Sequence, residues 1–292
     1  MRALLAKLIL HTTARLPLPV AHLLGVVIGT GLILIPNRTR RIATINIRLC
    51  FPELSLSQQK RLVRQSLIEM AKTFTESGIL WLGNSKRLEK MIKSVEGEEH
   101  IKRALEGGHG AIFISPHIGN WEVIGLYCSP RYPMISLYRP PRMKALDALI
   151  RRGRQRNGSK LAPITAQGIR ALMQMLKSNG TTGILPDQDP RDHGGHFAPF
   201  FGIQANTMTL LSRLAHKSRA PTILTYAERL SWGRGFRLHF IPGPEVINGR
   251  DIDASVTAIN ALVEQAVRHL PAQYQWGYKR FKTRPEGEQP IY

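Results

Sequence analysis

Two side chains within Ser115-Pro-His-Ile-Gly-Asn-Trp-Glu-Val-Ile124 could carry out acid–base chemistry together: the imidazole of His117 and the carboxylate of Glu122. A neutral imidazole with one nitrogen held by a carboxylate presents the other as a base near neutral pH. No serine or cysteine in the segment stands out as a nucleophile, so the proton taken would be that of a substrate hydroxyl. That chemistry is acyl transfer without a covalent enzyme intermediate. The competing reading is a histidine at a helix start paired with a surface glutamate, an arrangement that chance supplies often.

The pair must be positioned by its flanks. Gly110 to Ser115 is a short apolar run opened by glycine and reads as a buried strand, and Trp121 to Tyr127 reads as a helix capped by Asn120. His117 would leave the carboxyl end of a strand, where ligands of open α/β sheets bind. On one continuous helix, residues five apart point about 140° from each other, so the pair converges only if the chain turns between them. Gly119 supplies that turn.

The rest of the chain alternates in the same way. Strands are expected at 111–115, 134–138, 182–185, 222–227 and 236–241, and helices at 55–82 (capped by Ser57 and broken near Gly78), 121–127, 143–154, 166–178, 208–216 and 254–270. Alternation of this kind predicts an α/β fold with a mostly parallel sheet and helices on both faces.

Other polar blocks fall at predicted strand ends. Arg139 and Arg142, stiffened by intervening prolines, could grip a phosphate or steady an oxyanion. Arg151, Arg152, Arg154 and Arg156 recur along the next helix, where a solvated basic face is the plainer reading. Asp187 and Asp189 follow another apolar run and would orient Arg139 or its neighbours, or contact a substrate. With Asp192, His193 and His196 they also have metal-ligand types, although arginine partners are the simpler assignment. The glycine- and phenylalanine-rich stretch from Gly194 to Phe201 reads as a loop able to close over substrate, or as a local apolar plug.

The chain of 292 residues holds 41 Lys and Arg against 20 acids, a net charge of +21. Residues 1–72 carry 11 bases and two acids beside the most apolar segment of the chain, a distribution that favours an anionic membrane over nucleic acid. Leu16 to Ile35 has no formally charged residue, but Pro17 and Pro19 delay a regular helix to about Val20. The remaining stretch spans roughly 24 Å against a hydrocarbon core of about 30 Å. A single span and a partly inserted hairpin are equally compatible and a buried core helix is the lesser reading, with residues 1–36 expected as a membrane anchor and 37–292 as the catalytic domain. Tyr274 to Lys282 interleaves aromatics with bases, which suits a headgroup layer or packing against the sheet. Cys50 and Cys128 read as buried free thiols.

Ordered blocks along nearly the whole chain carry a resemblance. His117-Ile-Gly-Asn-Trp-Glu122 resembles the His-x4-Asp/Glu motif of the glycerolipid acyltransferase superfamily, in its bacterial lipid A branch. Asn46 to Glu53, Tyr138 to Arg142, Pro186 to Asp189, Phe197 to Gly202, Thr207 to Thr209 with Ser212 to Ala215, and Tyr278 to Pro285 resemble further blocks of that branch. The resemblance implies a late acyltransferase of lipid A synthesis, with His117 and Glu122 catalytic and Asn120, Arg139, Arg142, Arg154, Asp187 and Asp189 around the substrates. It implies acyl-acyl carrier protein or acyl-coenzyme A as donor, a lipid A precursor as acceptor, and neither metal nor cofactor. The expected place is the cytoplasmic face of the inner membrane of a Gram-negative bacterium. A lysophospholipid or other glycolipid remains an alternative acceptor, and a non-enzymatic protein binding anionic lipid is an alternative class.

Overall fold

The structure, a computed structural model, describes residues 2–141, 143–190 and 194–292. Five helices come first: α1 (Arg2–Arg15), α2 (Leu18–Leu34), α3 (Arg38–Cys50), α4 (Leu56–Leu82) and α5 (Ser85–Met91). The alternating part follows as β1 (Ile92–Glu96), α6 (Glu98–Glu106), β2 (Ala111–Ile114), α7 (Glu122–Cys128), β3 (Met134–Tyr138), α8 (Asp147–Gln155), β4 (Lys160–Pro163), α9 (Ala166–Lys177) and β5 (Thr181–Ile184). The hairpin β6 (Gly195–Phe200) and β7 (Ile203–Met208), then α10 (Leu210–Ser218), β8 (Thr222–Leu230), β9 (Gly235–Pro242) and α11 (Ile252–His269) complete the chain.

Seven strands form one sheet in the order β1-β9-β8-β2-β5-β3-β4. Every pair is parallel except β8 with β9. The expected α/β class with a mostly parallel sheet is what the chain adopts. Strand β2 shows why helices cover both faces: Ala111 and Phe113 point into one apolar core, Ile112 and Ile114 into the other. A run buried on both sides must be apolar at every position, which is why β2 reads as continuous hydrophobic sequence.

Helix α4 runs unbroken through Gly78, contrary to the expected break there. A side chain at Gly78 would collide with Thr13 and the backbone of α1, so the glycine serves a close helix crossing. Its cap is Ser55, not Ser57, in a reciprocal capping box with Gln58. The stretch expected as a loop near Phe197 is the β6–β7 hairpin, turned by Phe201 and Gly202 with φ of 52° and 75°. Positive φ at both central residues matches the twist of the flanking strands. Phe200 and Phe201 are buried core residues and do not line a substrate lid. Tyr274, Trp276 and Phe281 are buried as well, so the aromatic–basic tail packs against the sheet.

No single described helix is long and apolar enough to cross a membrane. Helices α2 and α3 together reach that length and composition, but they are bent by 83° at their junction. Helix α2 lies along α4 at close range: a Cβ on Gly25 would sit 2.7 Å from Lys72 Cγ, and one on Gly29 2.5 Å from Ile68 Cα. Its outer side leaves Leu23, Val27 and Ile28 exposed.

Candidate active site

Strands β2 and β5 are parallel neighbours in the register Ile114 with Ile184. Three residues beyond those partners stand His117 and Asp187. Equal offsets past adjacent strand ends bring the two side chains together at the carboxyl edge of the sheet. The His117 backbone N–H donates to Asp187 Oδ2 at 3.0 Å, and Nδ1 lies 2.9 Å from Oδ1. Because an ionised carboxylate only accepts, the ring proton belongs on Nδ1 and the Nε2 lone pair is left outward. The Gln188 amide nitrogen, 3.1 Å away, donates to Nε2 and also to Gln275 Oε1 at 3.2 Å.

Asp187 is fully enclosed. Burial alone would raise its pKa, but the charge of His117, the two hydrogen bonds from His117 and the charge of Arg280 overcome this and hold the carboxyl below its ordinary range. The neighbouring Tyr274 phenol is pushed well above its usual value by burial first and by the Asp187 charge second. Trp121 meets the imidazole edge-on, with ring centroids 4.6 Å apart. Together with Met70, Thr73, Phe74, Gly119, Gln273, Tyr274 and Gln275, these rings line a crevice of about 30 Å³.

The expected pairing of His117 with Glu122 is not what the structure contains. Glu122 lies in the first turn of α7 and is held in a two-pronged ion pair by Arg154 of α8, with Nε to Oε2 at 2.9 Å and Nη2 to Oε1. The turn at Gly119, with φ of +58°, does reverse the chain. It delivers Glu122 to a guanidinium on the following helix, while the register of β2 with β5 delivers Asp187 to the ring. Asp187 therefore takes the ring-orienting position, in place of its expected role as an arginine partner. Arg154 also stacks over Tyr138, 5.4 Å from the ring centre.

The other expected residues divide. The cap position of α7 is Trp121, without a side-chain cap bond, and not the expected Asn120; Asn120 Oδ1 accepts from Glu122 N at 3.3 Å one residue before it, and its amide donates inward to Glu76 Oε2 at 2.8 Å. Asp189 is buried and accepts from Asn206 Nδ2 at 3.2 Å and Thr283 N at 2.9 Å. Arg139 is exposed just beyond β3. Arg142, Asp192 and His193 lie outside the described residues. Among the described residues no group of three or more His, Cys, Asp or Glu is placed to hold a metal ion. Both cysteines are free and buried, and burial pushes their thiols up. Three backbone amides after His117 are engaged within the fold. Ile118 N donates to Pro116 O, Gly119 N to Gln273 O and Asn120 N to Ala227 O.

Comparison with known proteins shows the family of the chain. The family model described as bacterial lipid A biosynthesis acyltransferase matches residues 3–283. A lipid A biosynthesis palmitoleoyltransferase of Escherichia coli (strain K12) is 30% identical over 290 residues, covering 97% of this chain and 92% of that protein. A lipid A biosynthesis lauroyltransferase of the same organism is 29% identical over 282 residues, covering 96% and 90%. A lipid A biosynthesis myristoyltransferase is 26% identical over 255 residues, covering 86% and 77%. A non-enzymatic lipid binder does not fit a match of this extent. The chain belongs to the bacterial lipid A biosynthesis acyltransferase family and is an acyltransferase.

Proposed function

We propose that this protein transfers a fatty acyl chain from a thioester donor to a hydroxyl of a lipid A precursor, with His117 as general base and Asp187 as the carboxylate that orients it. The observation that carries this reading is the outward Nε2 of an imidazole whose Nδ1–H is fixed by a buried carboxylate. The acceptor hydroxyl replaces the Gln188 amide at Nε2. As its oxygen bonds to the thioester carbon, its proton passes to Nε2, and Asp187 stabilises the resulting imidazolium. The tetrahedral intermediate collapses by breaking the C–S bond, and the imidazolium returns the proton to the departing thiolate. The Gln188 amide and the Arg139 guanidinium are the donors proposed for the oxyanion. Glu122 and Arg154 act as one ion-paired unit that joins α7 to α8 beside the base.

The donor is acyl-acyl carrier protein or acyl-coenzyme A, both anionic and suited to a chain of charge +21. The catalytic edge works at the cytoplasmic face of the inner membrane, with the exposed apolar sides of α1 and α2 in the lipid. The test is a transfer assay with labelled thioester and a lipid A precursor extract. His117→Ala is expected to lower turnover by about 10² or more, the scale of a lost general base, while the protein still folds. Ordinary turnover by that variant would remove the mechanism, and label appearing only on lysophospholipid would remove the acceptor.

A further inference from the structure

The catalytic turn rests on a carboxylate that the chemistry above does not use. Glu76 of α4 is completely buried, yet burial's upward pull on its pKa is overcome by Arg229, then by His22, and the group is held down at about 2. Its Oε1 accepts from Arg229 Nε at 2.5 Å and from His22 Nε2 at 2.6 Å; its Oε2 accepts from Arg229 Nη2 at 2.7 Å and from Asn120 Nδ2 at 2.8 Å. Arg229 of β8 also reaches Glu69 at 2.8 Å, Thr73 Oγ1 at 2.9 Å and the Gly119 carbonyl at 3.4 Å. Thr73 Oγ1 donates to the same Gly119 carbonyl at 3.1 Å.

We infer that Glu76 is a positioning residue for acyl transfer, acting through Asn120 and, by way of Arg229, through Gly119. This inference rests on His117 being the base. A buried ion pair is weak evidence for stability, because its desolvation cost can match its attraction and an apolar replacement is often neutral. Of its four acceptor contacts one comes from Asn120 and two from Arg229, which itself reaches the Gly119 carbonyl, so two residues of the turn are fixed directly or through the guanidinium. Gly119 and Asn120 lie two and three residues beyond His117, where a small backbone shift swings the imidazole against its acceptor. A displacement near 1 Å at a catalytic group can cost about 10²-fold in rate. The third donor, His22, belongs to α2, so the same carboxylate also registers how the apolar helix is seated.

The experiment is a kinetic cycle on the purified full chain, with rates expressed per folded molecule. Glu76→Gln is expected to lower kcat by roughly 10-fold to 100-fold and leave KM within about two-fold. Asn120→Ala should do the same, and the double variant should be little worse than either single one, because both break one linkage. Should Glu76→Gln fail to fold, Asn120→Ala carries the test, since it leaves the Glu76–Arg229 pair intact. Normal kcat in the folded single variants would overturn the inference, as would losses that simply multiply in the double variant. Loss of activity in His117→Ala beside normal Glu76→Gln would sink the positioning role alone; normal activity in His117→Ala would sink the base assignment on which it rests.

Discussion

At the scale of the residue, two carboxylates compete for the role beside His117, and their surroundings separate them. Asp187 touches the ring and the backbone of the base, whereas Glu122 is taken up by Arg154. Replacing Asp187 by Asn keeps the shape but supplies an amide that can donate to Nδ1, which puts the proton on Nε2 and removes the base. The expected loss in kcat is large, up to roughly 10⁴-fold by analogy with the wrong-tautomer effect in serine protease triads. Loss of the anion also makes the imidazolium less stable, so the acid limb of the pH profile should move to lower pH. Glu122→Gln should lower kcat without moving that limb, because its carboxylate does not touch the ring. Measured kcat/KM against pH for both variants decides the matter; a limb that moves only in Glu122→Gln would return the orienting role to Glu122. The sign for folding also follows from Asp187. A carboxyl held low in the folded state stabilises fully above its ordinary range and loses that contribution as pH falls through its lowered value.

At the scale of the element, the segment around His117 was legible because local signals agree: a continuous apolar run, a proline and a glycine at a reversal. The partner was not legible, for a topological reason. Strands β2 and β5 are adjacent in the sheet but separated in sequence by β3 and β4, and nothing local states that order. With the order known, equal offsets from Ile114 and Ile184 would have named Asp187. The short edge strands β1 and β4 went unread because their sequences, Ile92-Lys-Ser-Val-Glu96 and Lys160-Leu-Ala-Pro163, lack a sustained pattern. Glu76 sat inside a helix where a charged residue reads as solvent-facing, and its burial arises only when β8 and α2 close over α4. That closure has a pH signature. Glu76 ionises at about 2 in the fold against an ordinary 4.5, so its stabilisation is complete above 4.5 and is lost as pH falls towards 2. Wild-type stability should therefore decline faster than that of Glu76→Gln across this window. Denaturant titrations at several pH values check this, and parallel declines would show that the carboxylate is not held low.

At the scale of the whole molecule, charge and apolar surface act together. The net charge of +21 draws the protein to any anionic surface, but that attraction is screened by salt and falls off within a Debye length, about 3 Å at 1 M. The apolar contribution is not screened. Leu4, Leu5, Leu8 and Ile9 of α1 are at least half exposed, and Leu23 and Val27 of α2 are 64% and 63% exposed, although the opposite side of α2 is packed on α4. Apolar surface of this kind on a folded chain marks an interaction face, and arginines flank α2 at both ends (Arg15 before, Arg38, Arg40 and Arg41 after), a pattern that suits the proposed seating against anionic headgroups. Association with anionic vesicles should thus have two parts: one lost as salt rises, and one that persists at roughly 1 M. The double substitution Leu23→Glu with Val27→Glu alters side chains that already face outward, so folding should change little. The salt-resistant part should disappear, since each acid both removes buried apolar area and repels the anionic surface. Vesicle sedimentation across a salt series reads the two parts separately. If the double variant retained the salt-resistant fraction, the membrane face would have to lie elsewhere than on α2.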